Sequence, residues 1–120
     1  MFKVKSKIWL EKNDKIVFGE GRMILLKTIQ ETGSINKASK KMGITYKKAW
    51  KYLEAIEERL DIKLINKKKG GLDGGGSFLT KEANILIEKY EVFIKGFNEI
   101  VDKRFKKIFK NFTFNQKNQN

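Results

Sequence analysis

The sequence has no cysteine and no histidine among its 120 residues. Without cysteine there is no disulfide, no thiolate metal site and no thiol nucleophile. Without histidine, imidazole general-base catalysis and imidazole metal ligation are excluded too. Carboxylates remain, but Glu54, Glu57 and Glu58 read as a solvated helix face and no metal-ligand spacing occurs. The chain is therefore read as a non-enzyme with no cofactor. No stretch approaches the roughly 18 consecutive apolar residues that suggest a membrane-spanning helix. The N-terminus, Met1-Phe2-Lys3-Val4-Lys5, alternates lysine with apolar residues and lacks the apolar stretch of a signal peptide. Acids are scarce: 14 Asp and Glu against 27 Lys and Arg leave a net charge of +13. Such an excess suggests a polyanionic partner, nucleic acid ahead of an anionic membrane surface. What is present suffices for a core, with 40% hydrophobic and 12% aromatic residues in a length suited to one domain.

Four segments follow one another. Over 2–18, Phe2, Val4 and Ser6 alternate with lysines, Ile8-Trp9-Leu10 follows, Glu11–Asp14 reads as a turn and Lys15–Phe18 as a second strand, which predicts a β-hairpin. Over 22–60 the period is helical. Met23, Leu25, Leu26 and Ile29 mark a helix ending near Gly33. Ser34 can cap a short helix from Ile35 to Met42, Gly43 suits a left-handed C-terminal cap, and Thr45 can cap a third helix. That third helix carries Ala49, Trp50, Leu53, Ile56 and Leu60 on one face, with Trp50 and Leu53 expected to be buried. Over 61–80 two strand-like runs flank a loop holding five of the ten glycines. From Thr80 an apolar stripe runs through Phe109 at helical spacing, and 111–120 is a polar tail expected to be disordered.

The helix, glycine turn, helix pattern of 34–53 reads as a helix-turn-helix. Between Lys37 and Lys51 stand six lysines and no acid. Lys47, Lys48 and Lys51, with Thr45 and Tyr46 at the start, form the exposed face of the second helix. In this docking mode that end of the helix reaches base edges and its surroundings meet phosphates. The glycine loop after Lys67-Lys68-Lys69 reads as a hairpin wing; no Gly-Lys-Ser/Thr follows, so it is not a nucleotide phosphate loop. The helix from Thr80 would be about 40 Å long. Residues 1–79 are too few to cover it, so its stripe is expected to pair with a second copy.

The motifs resemble a known family. Gly21–Ile35, Met42–Trp50 and Gly70–Gly76 with Phe78-Leu79-Thr80, preceded by Ile8–Glu11 and Phe18-Gly19, are similar to the ModE-type DNA-binding domain of molybdate-responsive transcription regulators, over roughly residues 5–95. The resemblance implies a mainly α winged helix-turn-helix with small β elements: a DNA-binding unit at 1–79 with an N-terminal hairpin and two-stranded wing, and a dimerisation helix at 80–110. It implies a homodimeric, sequence-specific transcription regulator on double-stranded DNA, in the cytoplasm and on the nucleoid. The DNA-facing residues would be Ser34, Lys37, Thr45, Tyr46, Lys47, Lys48, Lys51, Lys68 and Lys69. The dimer seam is expected at Leu86, Tyr90, Phe93, Phe97, Ile100 and Val101. Full-length regulators of that type carry a second, oxyanion-binding domain; the 120 residues stop before one, so no molybdate binding is expected. No membrane partner is expected, since Glu88, Glu91, Glu99 and Asp102 oppose anionic lipid. The alternative is an architectural protein binding nucleic acid without sequence choice.

Overall fold

The computed structural model describes residues 2–68 and 76–114, with Lys68 described for its backbone alone. The element order is β1 (Leu10–Lys12), β2 (Lys15–Phe18), α1 (Glu20–Thr32), α2 (Ile35–Met42), α3 (Tyr46–Leu60), β3 (Ile65–Lys68), β4 (Gly76–Leu79) and α4 (Lys81–Phe109). The fold is mainly helical, with two antiparallel two-stranded hairpins, β1–β2 and β3–β4. The tip of the expected wing loop, residues 69–75, lies outside the described residues.

The N-terminal hairpin is shorter than the alternation suggests. Asn13 and Asp14 both adopt positive φ, 52° and 64°, which suits a two-residue hairpin loop, and so Glu11 and Lys12 belong to β1. Residues 2–9 are not a strand. They run antiparallel to α4: Tyr90 donates its hydroxyl proton to the Ile8 carbonyl at 2.6 Å, Ser6 donates to Asn98 at 3.2 Å, and the Phe2 ring meets Phe109 and Phe112. Among the described residues no strand pairs with this alternating segment; the Phe2 ring, Ser6 and the Ile8 carbonyl contact a helix instead.

Helix boundaries follow capping chemistry. Ser34, Thr45 and Thr80 each accept a hydrogen bond from the backbone N–H three residues on, at Lys37, Lys48 and Ala83. Gly33 and Gly43 end α1 and α2 at φ 70°. α1 begins at Glu20, earlier than the apolar pattern shows, and Gly19 ahead of it is packed against Trp9: a Cβ there would lie 3.1 Å from the Trp9 Cβ.

All the elements but β1 and β4 supply the core. Val17, Phe18, Leu25, Leu26, Ile29, Ile35, Ala38, Ala49, Leu53, Ile56, Leu64, Ile65, Ala83, Ile87 and Tyr90 are buried together. Trp50 is not among them. It sits half-buried on the flank of α3, because Ala49, Leu53 and Ile56 already fill the inward face. Glu57 also departs from the solvated face expected of it: its carboxylate accepts from the Leu64 N–H at 2.8 Å and fixes the turn between α3 and β3.

The β3–β4 hairpin is tied to the helix-turn-helix. Ser77 N–H donates to the Gly33 carbonyl at 2.9 Å, and a Cβ at Gly76 would stand 2.9 Å from the same oxygen, so the approach requires glycine. At the other end Thr80 donates its hydroxyl to the Lys63 carbonyl and its N–H to the Leu64 carbonyl. These bonds fix the hairpin against α1 and set where α4 starts. Beyond α4, Phe112 packs on Phe2 and Phe109, and Phe114 on Phe112. Residues 115–120 of the expected tail lie outside the described residues.

Candidate nucleic-acid interface

α2 and α3 meet across the Gly43 turn, and small residues let them do so: Ala38 and Ser39 are buried at the crossing. The N-terminal half of α3 then projects outward. Thr45, Tyr46, Lys47, Lys48 and Lys51 are exposed on it, and Lys37 is exposed on α2. The Ser34 and Thr45 hydroxyls are engaged as caps, and Lys37 and the α3 lysines are in no ion pair among the described residues. Of the lysine block only Lys41 is in an ion pair among the described residues, with Glu31 at 2.5 Å. The exposed acids of α3, Glu54 and Glu58, lie toward its other end.

The start of α3 borders a groove lined by Ser34, Ile35, Asn36, Tyr46, Lys67 and Ser77. It runs between the N-termini of α2 and α3 and the β3–β4 hairpin. Both helix N-termini favour negative charge there. The Tyr46 ring stands edge-on to Trp50 at 6.4 Å, and Lys67 Nζ lies 4.7 Å from the Trp50 ring centroid. Trp50 is thus a platform joining α3 to the hairpin. Of the two predicted wing cations, Lys68 is placed only as the last residue of β3, and Lys69 lies outside the described residues.

α4 is 29 residues long, about 43 Å at 1.5 Å per residue. Of the six seam residues, Tyr90 does not belong to the surface. It is 3% exposed and edge-on to Phe18 at 5.2 Å, so it is core of its own protomer. Burial first, then the Glu20 carboxylate, push its phenol above the ordinary value. Leu86 and Val101 are half-buried. Phe93, Phe97 and Ile100 are 42%, 41% and 62% exposed, and Ile85 and Val92 join them on the surface. No helix among the described residues is long and apolar enough to cross a membrane.

A family model described as the bacterial regulatory helix-turn-helix protein, lysR family, matches residues 21–83, from the start of α1 into α4. The chain belongs to this LysR-type helix-turn-helix family. Among curated proteins it is 42% identical over 71 residues to the transcriptional regulator ModE of Haemophilus influenzae, an alignment covering 59% of this chain and 28% of that protein. It is 34% identical over 83 residues to the DNA-binding transcriptional dual regulator ModE of Escherichia coli, covering 69% and 32%. The molybdenum-pterin-binding protein MopB of Rhodobacter capsulatus is 36% identical over 78 residues, covering 65% and 29%. The chain spans about a third of the length of these relatives. Among solved structures, the BenM DNA-binding domain in complex with benA site 1 DNA superposes with a TM-score of 0.54 at 18% identity, covering 77% of this chain and 97% of that one. The CbnR DNA-binding domain in complex with DNA gives 0.52 at 15% identity, covering 70% and 91%. These two show the winged helix fold.

In this LysR-type domain the groove also takes in Ile35, Asn36, Lys67 and Ser77, which are not among the expected DNA-facing residues. Asn36 precedes the lysine block and carries no charge to flag it. Lys67 belongs to a lysine run that the sequence assigns to the wing as a whole. Its place over Trp50 follows from the pairing of Lys67 with Ser77, which periodicity does not reveal.

Proposed function

We propose that this chain is the DNA-binding part of a transcription regulator, acting on double-stranded DNA as a homodimer in the cytoplasm, on the nucleoid. The observation that carries the reading is the ridge of Lys47 and Lys51 on the projecting half of α3, free of acids and bordered by two helix N-termini and the β3–β4 hairpin. The ridge enters the major groove, with Thr45 and Tyr46 nearest the base edges. Lys37 and the Ser34 end of α2 meet one phosphate strand, and the wing, with Lys67, Lys68 and Lys69, another. Two relatives named as transcriptional regulators and two similar folds solved on DNA support this. The exposed Phe93, Phe97 and Ile100 pair with a second copy about a two-fold axis, which sets two α3 helices one DNA turn apart, ~34 Å.

The test is duplex binding across a salt series. If a dimer neutralises ~6–10 phosphates, affinity falls by about 10³–10⁵ between 50 and 200 mM salt. Lys47→Glu or Lys51→Glu weakens binding and leaves the helical circular dichroism intact. A flat salt response in the parent contradicts the reading.

A further inference from the structure

The Lys47–Lys51 ridge has an aromatic ring on each side. The 3.6-residue period puts Trp50 on one flank of α3, and Lys48, Tyr52 and Arg59 on the other. On the first flank Trp50 carries Lys67 from β3. On the second the half-buried Tyr52 ring is faced by two cations. The Arg22 guanidinium carbon, from α1, is 4.8 Å from the ring centroid, and Lys48 Nζ is 5.8 Å from it.

No acid among the described residues pairs with these cations. The Arg22 Nε is buried with no hydrogen-bond partner there. The next ionic neighbour, Arg59, is another cation, and it donates to the Ile16 carbonyl. Burial lowers the Arg22 pKa; Tyr52 counters this and the Arg59 charge reinforces it. The guanidinium nevertheless stays charged at working pH. A desolvated charge without a counter-ion is costly, and an aromatic face compensates in part only. The arrangement has the composition of an anion site: a planar fork of N–H donors from α1 and an ammonium from α3, both set against one tyrosine ring.

We propose that Arg22, Tyr52 and Lys48 clamp a backbone phosphate of the DNA strand opposite the one that the wing meets. The inference rests on the reading that the α3 ridge enters the major groove. That groove is about 12 Å wide and walled by two phosphodiester strands, so a helix lying in it presents one flank to each. The Trp50–Lys67 flank faces one strand; the Tyr52 flank faces the other. The clamp positions the helix and reads no base, so it acts on all sequences alike.

The experiment measures duplex affinity against salt for the parent, Arg22→Gln, Arg22→Lys and Lys48→Gln, together with phosphate-ethylation interference on each strand. Arg22→Gln is expected to weaken binding about tenfold or more on specific and random duplexes alike and to lower the salt slope by about one. Within each half-site, ethylation sensitivity should vanish at phosphates of one strand only. Arg22→Lys should keep the slope and recover part of the affinity, since an ammonium replaces the charge and not the fork. A folded Arg22→Gln with parental affinity, slope and ethylation pattern overturns the clamp. If circular dichroism shows that Arg22→Gln does not fold, Lys48→Gln decides: loss of the same strand's phosphates supports the clamp, and an unchanged pattern overturns it. A parent that binds no duplex DNA defeats the functional reading itself, which separates that failure from this one.

Discussion

Up to Tyr90, α4 has one side buried in the core; beyond it, no residue of α4 is buried. Ala83, Ile87 and Tyr90 are buried against β2 and the helices of the winged unit. Past them Val92 is 70% exposed, and Phe93, Phe97 and Ile100 stand open on the same helix. The apolar period does not change between the two halves. What changes is the supply of neighbours: the winged unit ends, and among the described residues the segment 2–9 continues alongside. One uninterrupted stripe is therefore core in its first part and, on the reading proposed above, a seam for a second copy after it. An exposed stripe of this kind marks an interaction surface.

That contrast can be broken at either half. The largest effect is expected at the bare half. Phe93→Asp combined with Phe97→Asp should abolish the dimer in sedimentation equilibrium. With the two DNA contacts unlinked, affinity for a two-half-site duplex should fall by about 10²–10⁴, while the melting of the winged unit is unchanged. At the covered half, Phe18→Ala removes the ring that meets Tyr90 edge-on. Its cost should be about 3–5 kcal/mol in denaturant unfolding, with the oligomeric state of the remaining folded protein kept. Trp50→Ala sharpens the comparison from α3. Because Trp50 is half-buried on a flank, it should cost about 1–2 kcal/mol, short of the figure for Phe18, and should weaken DNA binding by freeing Lys67. The smallest change is Tyr90→Phe. It keeps the ring in the core and deletes the bond to the Ile8 carbonyl, at a cost of about 1 kcal/mol. Hydrogen exchange should then quicken along residues 2–9 and nowhere else in the core.

Much of this architecture is legible where local chemistry decides it. Ser34, Gly43, Thr45 and Thr80 announce their helix ends because capping depends on a few adjacent atoms. The acid-free lysine block announces its exposed face for the same reason: lysines with no acid between them favour solvent or a polyanion. The misreadings sit where distant parts meet. Phe2–Ser6 alternates like a strand, yet a strand exists only if a partner strand lies beside it, and here α4 does. Trp50 falls on the apolar arc of α3, but the space behind α3 is filled by Ala49, Leu53 and Ile56. Tyr90 shares its stripe with Phe93, and only the position of Phe18 and Ile8 separates core from seam. Arg22 and Tyr52 are 30 residues apart in sequence and face each other only because α1 and α3 pack. No period within one helix could pair them.

The central claim is that two copies of the α3 ridge read duplex DNA together. It is tested most directly by selecting bound duplexes from a random pool with the full chain, at fixed salt. The account predicts enrichment of a near-palindromic sequence whose half-sites are separated by about 10 base pairs, or a multiple of that, centre to centre. Recovery of unenriched sequence, or of single half-sites without two-fold symmetry, would contradict it.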